Sequence, residues 1–180
     1  MSKVLIIKGS ARKKGNTALL ADEFGRGAKE AGHEVSEIVL QEKQFGDCLG
    51  CGACQRNGGA CVQKDDMDAI YEALKETDVI VLASPVYFYT WTSLIKRMLD
   101  RTFAVEMLLQ NKTFYLISTS AAPDERFAKT MIDSFRQYIA CFPGNGNKEG
   151  GYLIGCGTNA PGDIKGMDVM EKAYRMGCNI

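Results

Sequence analysis

The feature that most constrains this chain is an ordered alternation between short, continuously apolar runs and longer segments with apolar residues at helical spacing. Lys3 to Lys8 is an apolar run bounded by charge and then by Gly9-Ser10, the profile of a strand buried on both faces. From Asn16 the residues Leu19, Leu20, Phe24 and Ala28 recur at helical spacing, with Asn16 or Thr17 placed to cap the start and Gly32 the end. The pattern then repeats. Strands are expected at Glu34 to Leu40, Val79 to Ala83, Thr113 to Ser118 and Gly151 to Ile154. Helices are expected from Asp66, from about Thr92 to Phe103, from Glu125 to Ala140 and from Asp168 to Met176. Five strands alternating with five helices imply an α/β fold, a doubly wound parallel sheet with helices on both faces, because each right-handed crossover must carry the chain back across the sheet. The third strand is expected to stop at Ser84-Pro85, since proline cannot extend a central ladder. An irregular cysteine-rich insertion, about 46–64, separates the second strand from the next helix.

Size and charge narrow the function. A chain of 180 residues, 46% of them hydrophobic, is expected to fold as one domain over 1–180. Lys plus Arg and Asp plus Glu both number 22, and no long basic or acidic run occurs, so nucleic acid and membrane surfaces are poor candidate partners. The longest apolar run, Val79 to Ala83, falls far short of the ~20 residues of a membrane span, and no cleavable leader pattern opens the chain. A cytoplasmic location is expected. Seven cysteines, four of them crowded at Cys48, Cys51, Cys54 and Cys61, suit a reducing compartment better than a secreted disulfide framework. Cys141, Cys156 and Cys178 stand apart and read as small buried apolar residues.

In open parallel sheets, ligands bind outside the carboxyl ends of the strands. The turn after the first strand, Gly9 to Thr17, combines hydroxyl and amide side chains, two glycines and three basic residues ahead of a helix N-terminus, a composition suited to a phosphate. It is not a nucleoside-triphosphate loop, because Asn16-Thr17 follows Gly15 where a lysine is needed. Nor does it hold the dinucleotide fingerprint, since Ala11 stands where the second glycine belongs. A single phosphomonoester fits better. After the third strand, Tyr87, Phe88, Tyr89 and Trp91 offer a flat ring a stacking surface, or equally fill the core or an interface. Ser118, Thr119 and Ser120 after the fourth strand would let backbone amides approach a polar ring edge.

Through Gly9-Ser10-x-Arg12-x-x-Gly15-Asn16-Thr17, Ser84-Pro85-Val86-Tyr87-Phe88 and Lys96-x-x-x-Asp100-Arg101, the chain resembles the flavodoxin-like NAD(P)H-dependent FMN reductases over nearly its whole length. The resemblance implies the flavodoxin strand order 2-1-3-4-5, carried over from that protein, with FMN at the switch point. It implies that Ser10, Arg12, Asn16 and Thr17 hold the FMN phosphate and that Pro85, Val86, Tyr87 and Phe88 lie along the isoalloxazine. Ser118 and Ser120 match the third loop loosely. Within the family the cysteine stretch is similar to that of the iron-sulfur flavoproteins: Cys48-x-x-Cys51-x-x-Cys54, six residues, Cys61, then Asp65-Asp66-Met67. That likeness implies a [4Fe-4S] cluster. An all-cysteine zinc site and free thiols are the rival readings, and the spacing is closer to iron and sulfur.

The expected activity is FMN-dependent NAD(P)H oxidation, with the nicotinamide a transient visitor, ping-pong kinetics and no nucleophilic side chain. The alternative is an iron-sulfur flavoprotein electron carrier fed by ferredoxin. A redox or metal sensor would leave both FMN motifs unexplained. His33, the single histidine, reads as a surface residue, and Asp100-Arg101 as a structural ion pair. Family members commonly pair, so a homodimer is expected.

Overall fold

A computed structural model describes residues 1–142 and 144–180. The chain runs β1 (Lys3–Lys8), α1 (Asn16–Glu30), β2 (Glu34–Val39), α2 (Ala53–Arg56), α3 (Met67–Glu76), β3 (Val79–Pro85), α4 (Ser93–Arg101), β4 (Thr113–Thr119), α5 (Lys129–Ala140), β5 (Lys148–Gly155) and α6 (Asp168–Cys178). Every strand pairing is parallel, in the order β2-β1-β3-β4-β5. The three central strands are the continuous apolar runs, buried on both faces, whereas β2 and β5 at the edges are partly exposed.

Because side chains alternate along a strand, the sheet divides the core in two. Leu5, Ile7, Ile80, Leu82, Phe114 and Leu116 face α3, α4 and α5, where they meet Ile70, Leu74, Ile95, Met98 and Phe135. Val4, Ile6, Val79, Val81 and Ile117 face α1 and α6, against Leu20, Phe24, Ala28, Val169 and Ala173. Each fully buried Val, Leu, Ile, Met or Phe among them contributes about 1.5–3 kcal/mol. On that second face α1 and α6 lie in backbone contact. A Cβ added at Gly27 would sit 2.0 Å from the Tyr174 carbonyl oxygen, and one at Gly177 would sit 2.0 Å from the Phe24 carbonyl oxygen.

Several boundaries differ from expectation, each for a physical reason. β3 continues through Pro85, which pairs in register with Thr119, because proline lacks only its own donor and the next N–H, that of Val86, reaches the Thr119 carbonyl at 2.8 Å. α1 is capped by the extended Gly15 and not by a side chain. A 3-10 turn, Glu125–Ala128, precedes α5, and another, Thr102–Val105, follows α4. β5 begins three residues earlier than expected, at Lys148, and carries an extra residue: Phe114 pairs with Glu149 while Tyr115 pairs with Gly151. Gly150 occupies that bulge, where a Cβ would meet the Tyr115 ring at 2.3 Å. The cysteine insertion contains one helical turn, α2, that the sequence did not announce.

Candidate functional site

The carboxyl ends of β1, β3, β4 and β5 open onto one cleft of about 120 Å³, lined by Ser10, Arg12, Gly15, Asn16, Thr17, Pro85, Val86, Tyr87, Thr119, Ala121, Thr158 and Asn159. Ligand pockets for whole drug-sized molecules run to ~300–1,000 Å³, so this volume suits the phosphate end of a larger ligand. α1 points its N-terminus into the cleft with no side-chain cap and no acidic residue in its first turn. Its first N–H groups and the positive end of its dipole therefore face an anion unopposed. A close approach makes the loop possible: a Cβ on Gly9 would lie 2.0 Å from Ile95 Cγ1. Thr92 fastens the loop to α4, its hydroxyl donating to the Gly9 carbonyl at 2.7 Å and accepting the Ile95 N–H at 3.3 Å.

The first-loop residues reach the cleft differently. The Ser10 hydroxyl accepts the Arg12 N–H at 3.1 Å, and Arg12 donates to the Asn159 carbonyl at 3.1 Å. Thr17 and Thr119 hydroxyls meet at 2.6 Å. The Asn16 amide is engaged elsewhere. It donates to the Ala160 carbonyl at 2.9 Å and accepts N–H groups from Gly162 at 2.8 Å and Ile164 at 3.4 Å, stapling α1 to the segment after β5. The Asn16 side chain is thus committed within the protein, and its backbone N–H is what it offers at the start of α1. Lys13 pairs with Glu42 at 2.6 Å.

Pro85, Val86 and Tyr87 line the cleft, but Phe88 does not, being 97% exposed. Tyr87 and Thr90 exchange backbone hydrogen bonds at 2.9 and 3.1 Å around Phe88 (φ 48°) and Tyr89 (φ 68°). Two positive φ values inside such a bridge make a type I′ turn, a conformation that favours Asn and Gly. Tyr89 stacks on Phe127, while Trp91 is buried and donates to the Ser134 hydroxyl at 2.9 Å. The Ser118 hydroxyl is buried behind the sheet edge, donating to the Ser84 carbonyl at 2.7 Å, and the Ser120 hydroxyl accepts the Ala122 N–H at 3.2 Å. Both shape their loop without lining the cleft. Thr119, Ala121, Thr158 and Asn159 take that place. Extending the carboxyl-edge rule to β5 would have pointed to the last two.

Cys48, Cys51, Cys54 and Cys61 line a second cavity, of about 310 Å³, together with Arg101 and Phe103. All seven cysteines are free, and among the described residues no three Cys, His, Asp or Glu side chains converge at metal-binding distance. The insertion is clipped to the scaffold by Arg101, which is 2% exposed. Its guanidinium forks onto Asp65 at 2.8 and 3.1 Å, donates to the Gly46 carbonyl at 2.9 Å and reaches Cys61 Sγ at 3.5 Å. Arg101 thus pairs with Asp65, while Asp100 pairs with Lys96 at 2.5 Å. Burial works against the Asp65 carboxylate, and the Arg101 hydrogen bonds with the Gly46 and Met67 N–H groups overcome it, holding this carboxyl below its usual range. Burial pushes the Tyr71 phenol, which donates to the Arg101 carbonyl at 2.9 Å, up to about 12.

Of the isolated cysteines, Cys156 and Cys178 are half-buried, but Cys141 is exposed at the end of α5 because it falls outside the helix's buried face. His33 is half-buried and accepts the Ser2 N–H at 3.1 Å, away from the cleft. No helix among the described residues is long and apolar enough to cross a membrane.

Residues 2–142 match the model of the NADPH-dependent FMN reductases. The chain belongs to that family. It is 33% identical to an iron-sulfur flavoprotein of Methanocaldococcus jannaschii over 97% of its own length and 93% of the relative's. It is 27% identical to a Bacillus subtilis protein named as an NAD(P)H-dependent FMN-containing oxidoreductase, covering 90% of this chain and 88% of that one. Among solved structures, the NAD(P)H:quinone oxidoreductase of Methanothermobacter marburgensis superposes with a TM-score of 0.77 at 18% identity, covering 99% and 95% of the two chains, a likeness of fold. Thr158 and Asn159 lie beyond the segment that the family model matches.

Proposed function

We propose that residues 1–180 act as one FMN-dependent NAD(P)H oxidoreductase unit in which the uncapped start of α1 holds the FMN phosphate. The observation that carries this reading is the junction, in one cleft, of a free helix N-terminus and Arg12 with the Pro85–Tyr87 rim. The donors present fit the group: backbone N–H groups, two hydroxyls and a guanidinium for a dianion, and apolar side chains at the rim for a ring. When bound, FMN supplies the hydride chemistry, taking a hydride from a reduced nicotinamide and passing electrons onward.

The chain's own residues bind and orient. Ser10, Arg12, Thr17 and the Asn16 N–H hold the phosphate end, and the Thr17–Thr119 pair keeps the first and third loops together beneath it. Pro85, Val86 and Tyr87 present an apolar edge, and Phe88 on its turn stands ready to cover a ring that extends beyond the cleft. Such an open rim suits a nicotinamide that arrives, reacts and leaves before the acceptor enters the same face, which gives ping-pong kinetics. Exposed Tyr87, Phe88, Tyr89 and Phe127 support a homodimer contact beside the rim. Seven free thiols, an odd number, support a cytoplasmic location.

A second reading rests on its own observation. Cys48, Cys51, Cys54 and Cys61 open onto one cavity that Arg101 also lines, four donors of the kind a [4Fe-4S] cluster takes, and a cluster there would require the thiols to draw together; it would make the protein an iron-sulfur flavoprotein drawing electrons from ferredoxin. Anaerobic purification followed by flavin, iron and sulfide analysis tests both. FMN with NAD(P)H turnover supports the reductase, about four irons and four sulfides per chain add the cluster, and a colourless protein that takes up no added FMN refutes the proposal.

A further inference from the structure

We infer that the segment after β5 carries a further cofactor-binding residue, Asn159, whose carboxamide donates to the FMN phosphate, and that Asp163 is the positioning residue that presents it. This inference rests on the FMN reading above. Asn159 lines the cleft together with Arg12 and the residues that open α1. Both of its backbone groups are committed: its N–H donates to Asp163 Oδ2 at 2.9 Å, and its carbonyl accepts from Arg12 Nη1 at 3.1 Å. Its carboxamide, by contrast, makes no hydrogen bond among the described residues. The peptide is held from both sides while the side chain keeps its donors for a ligand.

The wall is braced from both neighbouring loops. The Gly157 and Thr158 N–H groups donate to the Ala122 and Ser120 carbonyls at 2.8 and 2.9 Å, tying it to the loop after β4. Asn16 ties it to the first loop through Ala160, Gly162 and Ile164, and Ile164 is fully buried in the core that α1 and α6 share. Asp163 closes the turn inside this brace, its Oδ2 accepting from the Asn159 and Ala160 N–H groups at 2.9 and 2.7 Å. A ligand side chain on a fixed peptide loses less freedom on binding than one on a loose loop, so this turn strengthens Asn159 as a donor. Charge and geometry act in opposite directions at Asp163. Its negative charge opposes a phosphate at the start of α1, while its two acceptor bonds fix the peptide that Arg12 also grips.

Flavin-free wild type, Asn159→Ala, Asp163→Asn, Asp163→Ala and the double variant Asn159→Ala/Asp163→Ala are titrated by flavin fluorescence with FMN and with riboflavin, which lacks the phosphate. Circular dichroism and urea unfolding verify the fold. Asn159 is exposed, and its truncation removes no hydrogen bond among the described residues. Losing a hydrogen bond to a charged group is expected to raise the FMN Kd of Asn159→Ala about tenfold, with riboflavin affinity unchanged. Asp163→Ala, which frees both N–H groups, is expected to weaken FMN binding about threefold. Asp163→Asn keeps a carbonyl acceptor and sheds the charge, so it should bind FMN at least as tightly as wild type. Because Asp163 acts through Asn159, Asp163→Ala should add no further loss in the Asn159→Ala background. Asn159→Ala that binds FMN as wild type does, or that loses FMN and riboflavin equally, overturns the inference while leaving the FMN reading in place. Tighter FMN binding by Asp163→Ala reduces Asp163 to its charge and overturns its positioning role. If riboflavin binds too weakly to titrate, the double variant decides, since an Asp163→Ala loss that persists without the Asn159 carboxamide overturns the inference. Wild-type protein that binds no FMN overturns the FMN reading, and the inference with it.

Discussion

Replacing Phe88 with glycine is expected to stabilise the flavin-free protein while weakening its hold on FMN. Phe88 is 97% exposed, so truncation forfeits almost no packing. Its φ of 48° puts an L side chain in the left-handed region, which costs about 1–2 kcal/mol. Glycine removes that cost and adds about 0.5–1 kcal/mol of unfolded-chain entropy. The difference is a gain of about 1 kcal/mol, or about 2–4 °C in Tm for a protein of this size. Urea unfolding of the flavin-free protein measures it as a higher midpoint at unchanged slope. Against FMN the sign reverses, since an aromatic contact to a ring contributes about 0.5–1.5 kcal/mol, so fluorescence titration should show Kd rising by about 2- to 10-fold. A Phe88→Gly protein less stable than wild type refutes the strain argument. One with unchanged FMN affinity removes Phe88 from the flavin site.

Other substitutions test the scaffold and the cradle. Gly27→Ala gains about 1 kcal/mol of helix propensity, but its Cβ would lie 2.0 Å from the Tyr174 carbonyl oxygen, so the α1–α6 contact must open at the upper end of the overpacking cost, about 3 kcal/mol, and urea unfolding should register a net loss of about 2 kcal/mol. Asn16→Ala strands a carbonyl and two N–H groups of the 160–164 segment. It should cost about 2 kcal/mol in the same assay and weaken FMN binding, whereas Asn16→Asp, which keeps the acceptor, should lose less. Because the Asp65 carboxyl is held below its unfolded value near ~4, its contribution to stability is fully present above that pH and is lost as pH falls through the depressed native value. Unfolding of wild type and Asp65→Asn between pH 7 and 3 should therefore show the larger acid-linked loss in wild type.

The central architecture was legible because its signal is local. β1, β3 and β4 are buried on both faces, so their sequences are unbroken apolar runs, and the glycine- and hydroxyl-rich turn after β1 marks, within nine residues, a loop that lines the cleft. Contacts between distant residues left no such mark. Arg101 looked like the partner of its neighbour Asp100, yet its fork closes on Asp65, 36 residues away. Asn16 looked like a helix cap or phosphate ligand, but its amide is spent on residues about 146 positions downstream. Composition does not separate Ser118 and Ser120 from Thr119, the one of the three that lines the cleft, because strand alternation decides which neighbour faces it and that parity depends on register. Gly27 and Gly177 carry no local mark of their role, which comes from the backbone contact between α1 and α6.

The Asn16 staple also orders events during synthesis. The proposed phosphate cradle is encoded almost at the start of the chain, but its shape depends on Ala160, Gly162 and Ile164, and the wall of the cleft on Thr158 and Asn159. A nascent chain therefore carries an unfinished binding site until the segment after β5 has left the ribosome and that last strand has docked on β4. Flavin captured by the growing polypeptide would arrive late, as a lock on a nearly complete fold and not as a template for its beginning.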